Sequence, residues 1–249
     1  MIELYNDDCF NVLETLEDES IDMILVDPPY GMTSNKWDSI IDFERMWKEL
    51  KRVVKEDSAI VFTSSQPFTS LLVCSHLKGF KCEWIWKKNR GSNFGSVRFM
   101  PMKEHESVLV FSKSGKKTRY YPIRQPRAEG GKARAKYPQK GSKSSNNYNN
   151  MEHLEYFEVD PDTRCPSSVQ MFNTQVGHHP TQKPIALLEY LIKTYTLEGE
   201  TVLDFTMGSG STGVAAKNTN RSFIGVELEE KYFKIAKDRI EEGDISHDY

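Results

Sequence analysis

Short apolar runs recur along the 249-residue chain, separated by stretches with helical spacing. I-E-L-Y-N at 2–6, I-D-M-I-L-V-D at 21–27, S-A-I-V-F-T-S at 58–64, C-E-W-I-W-K at 82–87 and S-V-L-V-F-S at 107–112 read as strands. So do T-V-L-D-F at 201–205 and S-F-I-G-V-E at 222–227. Helical patterns fall between them. In P-I-A-L-L-E-Y-L-I-K-T-Y, Pro184 takes a first-turn position, and Ile185, Leu188, Ile192 and Tyr195 share one face. A final helix over about 229–241 places Tyr232, Ile235, Ala236 and Ile240 at similar spacing. This alternation predicts βαβ units and a doubly wound, mostly parallel, Rossmann-like α/β sheet of seven strands. The length suits one large domain with an insertion.

Residues 113–150 break the rhythm. They are rich in Lys, Gly, Pro and Tyr, finish in S-S-N-N-Y-N-N, and are too polar to build a core. A long inserted loop is expected there. Charge sharpens the picture. The chain as a whole carries −3, but Lys113 to Lys143 holds 11 Lys+Arg and a single acid, Glu129, a local +10 against −13 elsewhere. An acidic body carrying one basic segment suits a polyanionic partner, although a solvated loop would look the same.

Other classes drop out. Hydrophobic content of 38% with 13 Phe excludes wholesale disorder. No apolar run approaches the roughly 20 residues of a membrane span. The start, M-I-E-L-Y-N-D-D, lacks a secretory pattern, so a cytoplasmic protein without membrane contact is expected. Cys9, Cys74, Cys82 and Cys165 show no C-x-x-C spacing and read as reduced thiols. His178-His179 lacks the i, i+4 spacing of a metalloenzyme helix, and no metal site is expected.

Two stretches carry chemistry. In I-L-V-D-P-P-Y the prolines cannot donate to a ladder, so the strand ends and leaves Asp27 at its tip. Open α/β sheets keep ligands at such tips, although an Asp-Pro turn without function has the same letters. After T-V-L-D-F comes T-M-G-S-G-S-T-G, where Gly208, Gly210 and Gly213 fit G-x-G-x-x-G between a strand and a helix. Glycine admits close approach of a ligand, and a helix N-terminus favours a negative group. Glu227 ends the next strand, placed to accept both hydroxyls of a ribose. No Lys follows the loop, which disfavours an NTPase phosphate loop. Asp204, just before the loop, would repel a pyrophosphate but attract an ammonium, which favours S-adenosylmethionine (SAM) over NAD.

With these residues in place the chain resembles the amino-methylating DNA methyltransferases, adenine-N6 and cytosine-N4, in the permuted beta class. There the catalytic motif comes first and the SAM loop last. D-P-P-Y at 27–30, K-E-H-E-S-V-L-V-F-S-K at 103–113, R-C-P-S-S-V at 164–169, H-P-T-Q-K-P at 179–184 and D-F-T-M-G-S-G-S-T at 204–212 carry the resemblance. It implies a catalytic half over 1–112, a basic target-recognition insert over 113–178 and a SAM-binding half over 179–249. It makes Asp27, Pro28, Pro29 and Tyr30 catalytic, with Asp27 also at the cofactor. It places Asp8, Cys9 and Phe10 by the cofactor adenine and Lys183 by the methionine carboxylate. Asp204, Phe205, Thr206, Gly208, Ser209, Gly210, Ser211, Thr212, Glu227 and Leu228 would complete that site. Phe205 and Thr206 depart from the family's Pro and Phe, which alters the wall beside the methionine moiety. Asn89, Arg90, Lys116, Lys117, Arg119, Arg124 and Arg127 would contact DNA, largely through phosphates. Trp37, Trp84 and Trp86 read as packing. Beta-class relatives are often dimers, so a homodimer is implied.

The resemblance implies a mechanism. The adenine exocyclic amine is a poor nucleophile because its lone pair is delocalised. Asp27 and the Pro28 carbonyl would each take one amine hydrogen and aim the lone pair at the methyl group. The base must first leave the duplex, at a few kcal/mol, and Tyr30 offers a ring to stack on. Cytosine-N4 methylation, RNA as substrate, a catalytically idle DNA-binding protein and an NAD-linked oxidoreductase remain the alternatives, the last without a visible hydride-accepting site.

Overall fold

The computed structural model describes residues 1–31, 39–127, 162–175 and 182–242. They form two compact units, Met1–Tyr121 with Ser168–Tyr249, and Pro122–Ser167. Trp37, His178, His179 and most of the expected basic loop lie outside the described residues.

The larger unit is built on one sheet. Its strands are β1 (Ile2–Tyr5), β2 (Ile21–Val26), β3 (Val54–Ser64), β4 (Phe80–Ser92), β5 (Lys103–Ser112), β8 (Val169–Met171), β9 (Thr201–Asp204) and β10 (Ser222–Val226). The order is β1-β10-β9-β2-β3-β5-β4-β8. All neighbours are parallel except β5, which runs antiparallel to both β3 and β4. Among the described residues six helices flank it: α1 (Cys9–Thr15), α2 (Phe43–Val53), α3 (Phe68–Ser75), α4 (Ile185–Tyr195), α5 (Ser211–Asn218) and α6 (Glu230–Glu242).

Alternation along the strands assigns the faces. Met23 and Leu25 of β2 pack with Leu188, Ala215 and Ala236 of α4, α5 and α6. Ile24 and Val26, one residue out of phase, pack with Leu13, Leu50 and Leu72 of α1, α2 and α3. Both faces are covered, which is why β2 is apolar almost throughout. Local signals set the helix starts. Asp42 accepts the backbone N–H groups of Glu44 and Arg45 at 2.9 and 3.2 Å, and Lys51 and Arg52 close the last turn of α2.

Four readings need correction. The sheet has eight strands: β8 pairs with β4 through Val169 and Gln170, but three mostly exposed residues carry no apolar run to announce it. β4 and β5 extend beyond their apolar cores, because an antiparallel ladder holds polar residues as well. Pro184 caps α4 rather than occupying its first turn, with φ −63 and ψ 130. The separate unit begins at Pro122 and ends at Ser167, so Lys113–Tyr121 and Ser168 onward belong with the main sheet. Within the small unit, β6 (Gln125–Pro126) and β7 (Thr163–Arg164) pair antiparallel, and Arg124 donates to the Thr163 hydroxyl at 2.5 Å.

Arg119 is the clearest departure from a DNA contact. Its guanidinium lies 3.1 Å from Asp22 and 3.2 Å from Asp57, and also pairs with Glu200. Asp22 is buried at the amino end of β2 and also holds Lys55 at 2.6 Å and the Thr201 N–H at 3.0 Å. Burial works against the charge on Asp22, and these partners outweigh it, holding its carboxyl below the usual range. We expect Arg119→Ala to cost about 2 kcal/mol, since a buried acid loses one of several partners. Urea unfolding measures it. DNA binding of the folded variant should keep its salt dependence, and a slope reduced by about one would return Arg119 to the DNA surface.

Candidate active site

β9 lies between β10 and β2, so the carboxyl tips of β9 and β2 are neighbours although Asp27 and Thr206 are 179 residues apart. The Thr206 hydroxyl donates to the Asp27 carbonyl at 3.3 Å, tying the glycine turn to the D-P-P-Y tip. Both border one crevice of about 740 Å³. An adjacent pair of strand tips is where an open α/β sheet accepts ligands.

The Asp27 carboxylate is held from three sides. Oδ1 accepts the Tyr30 hydroxyl at 2.6 Å and the Thr63 hydroxyl, and Oδ2 accepts the Lys183 ammonium at 2.6 Å. Lys183 is buried, and its ammonium also lies 3.5 Å from Glu106 Oε2, while Lys88 donates to Glu106 Oε1 at 2.6 Å. Burial opposes the charge on Lys183, but Asp27 and Glu106 outweigh it and raise its pKa. Glu106 shows the mirror effect. Burial pushes it up, and Lys183 and Lys88 bring it below its ordinary value. The ring of Tyr30 stacks on Phe68 with centroids 5.0 Å apart, so one of its faces is already covered. Burial first, and then the Asp27 and Glu106 charges, hold its hydroxyl protonated.

The glycine turn divides its residues between ligand and fold. Gly208 has φ +54, and a side chain there would meet open space. Gly210, at φ +82, abuts Ala236, and Gly213 abuts Ile240 and Phe223, so these two serve the packing of α6. Arg239 of α6, buried, donates to the Ser209 carbonyl at 2.6 Å and anchors the turn from behind. It also reaches the Ser211 hydroxyl at 3.4 Å. Glu227 Oε2 accepts the Gly208 N–H at 2.9 Å, and burial raises its pKa. Asp204 is buried and accepts the Thr206 N–H at 3.1 Å. Desolvation pushes its pKa up to about 7, with Thr212 and Thr206 opposing and the Asp27 and Glu227 charges adding to it.

The remaining expected residues fall into place around this frame. Asp8 caps α1 through the Phe10 N–H at 2.9 Å and borders the crevice with Cys9 and Phe10. Burial lifts the Cys9 thiol to about 11, and the Arg45 guanidinium sits 4.1 Å over the Phe10 ring. Phe205 is buried in the α1–α3 core while bordering the crevice, Thr212 borders it at the start of α5, and Leu228 stands exposed at the rim. Asn89 spends its carbonyl oxygen on the N–H of Thr174 at 2.9 Å, and Arg90 is exposed on β4. Lys116 pairs with Glu56 at 3.1 Å, Lys117 is exposed, and Arg124 and Arg127 belong to the small unit. Trp84 and Trp86 are buried, and Trp86 also borders the crevice. Thr63, Lys88, Lys103 and Glu106 were missed. Their signal is positional: β5 runs opposite to β3, so its first residues stand beside the last residues of β3, with Ser64 opposite Ser107.

A doubly wound α/β sheet with an acid tip beside a glycine turn has the architecture of the SAM-dependent methyltransferases. The chain matches the DNA methylase family over residues 21–238, and it belongs to that family of amino-methylating DNA methyltransferases, whose methyl donor is SAM. It is 31% identical to the type II methyltransferase M2.LlaDCHI of Lactococcus lactis subsp. cremoris, over 96% of this chain and 89% of the relative. It is 32% identical to M2.DpnII of Streptococcus pneumoniae with the same coverage. Among solved structures, the cytosine-N4-specific PvuII DNA methyltransferase shares the fold at TM-score 0.70 and 16% identity, over 98% of this chain and 88% of that one. The M1.HpyAVI–SAM complex does so at TM-score 0.61 and 24% identity, over 96% and 100%. Among the described residues no helix is long and apolar enough to cross a membrane, and no three His, Cys, Asp or Glu side chains group as metal ligands.

A buried carboxyl raised to about 7 binds a proton in the folded chain that the unfolded chain, near 4, has released. Stability of the cofactor-free protein is therefore lost as pH rises from about 4 to about 7 and is level above. The difference in unfolding free energy between wild type and Asp204→Asn should change by roughly 1.4 kcal/mol per pH unit across that window. Denaturant titrations at several pH values measure it. A difference that stays constant with pH would show that Asp204 is ionised throughout.

Proposed function

We propose that this chain is a cytoplasmic SAM-dependent DNA adenine-N6 methyltransferase that acts on a base flipped out of the duplex. The observation carrying this reading is the Thr206–Asp27 hydrogen bond, which sets a cofactor-type glycine turn against an acid tip at one crevice.

The residues suit the cofactor. Glu227, braced by the Gly208 N–H, is a half-buried acceptor for ribose hydroxyls, and Gly208 leaves the space through which a ligand can approach the backbone. Burial makes Asp204 costly to ionise, and an ammonium beside it would offset that penalty where a phosphate would add to it. Asp8, Cys9 and Phe10 border the adenine end, and Leu228 the rim. Bound SAM supplies an already activated methyl group.

Everything else is positioning by the protein. A carboxylate oxygen has two lone pairs, so Oδ2 of Asp27 can keep Lys183 and still accept one hydrogen of the target amine. Tyr30, Thr63 and Lys183 fix the carboxylate before the base arrives, which removes the reorganisation that a mobile acid would need. Pro28 and Pro29 stiffen the tip, and the Pro28 carbonyl is the second acceptor. Loss of the surplus amine proton goes to the Asp27 side, where the hydrogen bond already points. Phe68 stacks on Tyr30 and the Lys183 ammonium lies over the same ring at 5.8 Å, so the ring that borders the crevice is held in place before the base enters.

Cytosine-N4 methylation uses the same grip on a different amine. By the habit of the family that this chain resembles, Asp rather than Ser at position 27 leans toward adenine. Asp27→Asn should lower methyl transfer at least about 10³-fold with SAM affinity within a few-fold of wild type, because the charged, proton-accepting carboxylate is lost but the glycine turn is untouched. Digestion of the modified DNA to 2′-deoxynucleosides, with mass analysis, should give the N6-methylated deoxyadenosine and not the N4-methylated deoxycytidine. Recovery of the N4-methylated deoxycytidine would replace the substrate assignment, and an active Asp27→Asn enzyme would remove the mechanism.

A further inference from the structure

The connection between β4 and β5 is unusual for a soluble surface. Ser92 pairs with Lys103, and both border the crevice, so residues 93–102 project as a hairpin tip from its rim. That tip is apolar and exposed: Phe99 shows 86% and Phe94 65% of its surface, joined by Val97 and Met100. Apolar residues grouped in this way mark contact surfaces.

The tip is shaped in advance. Asn93 adopts the left-handed conformation at φ 64, its amide donates to the Pro101 carbonyl at 3.2 Å, and its carbonyl accepts the Lys103 N–H at 2.8 Å. A single 3-10 turn, Phe94–Ser96, follows, and the N–H groups of Phe99 and Met100 both close on the Ser96 carbonyl. Gly91 leaves room for Met102, whose sulfur would lie 2.2 Å from any side chain placed there. These bonds hold the two phenylalanines out in water, an arrangement that a fold does not need for its own core.

Charge identifies the occupant. From residue 88 to 103 the chain holds no acid, and while Lys88 is paired with Glu106, Arg90 and Arg98 are exposed. These cations stand at the mouth of the crevice that the target base of a DNA methyltransferase has to enter. Duplex DNA meets them with phosphates. A base that moves from a duplex into the crevice leaves a gap in the stack at that same mouth, and apolar wedges are the side chains that fill such gaps.

We infer that the 93–102 hairpin tip, through Phe94 and Phe99, is the wedge that occupies the space vacated by the target base. This rests on the DNA methyltransferase reading and names the element that opens the duplex for it. Arg90 and Arg98 hold the flanking phosphates. The tip helps extract the base and plays no part in the methyl transfer that follows.

The test uses the full chain and an oligonucleotide duplex carrying a site mapped from DNA that the enzyme has modified. Phe94→Ala/Phe99→Ala is compared with wild type on the paired duplex and on one whose target base faces an abasic position, where no pair has to be broken. On the paired duplex kcat/KM should fall by about tenfold or more, and on the abasic duplex it should stay within about twofold. SAM affinity and Tm should be unchanged, since both rings are exposed. An equal loss on both duplexes, or no loss on either, overturns the wedge. A wild-type dimer that the double variant converts to monomer in sedimentation velocity, with paired-duplex activity intact, assigns the tip to self-association instead. Asp27→Asn runs alongside and should be inactive on both duplexes; activity there defeats the site assignment and not the wedge.

Discussion

The buried ion pair between Lys183 and Asp27 is the constraint on which the site depends. An ammonium and a carboxylate taken out of water are costly unless each satisfies the other, and removing one partner leaves the second charge stranded. Asp27 follows β2 and Lys183 stands just before α4, 156 positions apart, and they meet at 2.6 Å when α4 packs on the sheet. The packing of α4 on β2 therefore also assembles the acid tip. Glu106, with Lys88 behind it, extends the pair into a chain of alternating charge, and that chain keeps Lys183 protonated where burial alone would have neutralised it.

The reversal of β5 explains why that chain reaches the crevice. In an all-parallel sheet the first residues of β5 would lie at the far edge, with Asp22 and Arg119. Running antiparallel, β5 instead brings Lys103 and Glu106 to the carboxyl edge of β3, beside Thr63 and Ser65. One inverted strand therefore supplies much of the charge of the site. The same inversion turns its link with β4 into a hairpin at the rim.

Much of this was legible in the letters. Asp27 followed by two prolines announces a strand tip, and three glycines after an acid-ended strand announce a ligand turn. What relates the two is strand order, which no local pattern encodes. Arg119 looked like one more cation in a basic run, because the acids that claim it, Asp22, Asp57 and Glu200, are remote along the chain. β8 was invisible because it is held by backbone pairing and buries a single side chain, Gln170. Glu106 and Thr63 read as ordinary strand residues, and become site residues only through the direction of β5. The glycine pattern misled in a subtler way: two of its three members answer to helix α6.

That last feature reaches beyond packing. Because Gly210 and Gly213 are pressed against Ala236 and Ile240, and Arg239 grips the Ser209 carbonyl, the curvature of the turn is gauged by a helix whose outer surface faces solvent. Any shift of α6, by a bulkier residue or a partner leaning on it, is transmitted as a change in the hollow lined by Gly208. The back of this helix is therefore a remote handle on the tightness of the hollow, and residues 210, 213, 236 and 240 are free to drift in size only in concert.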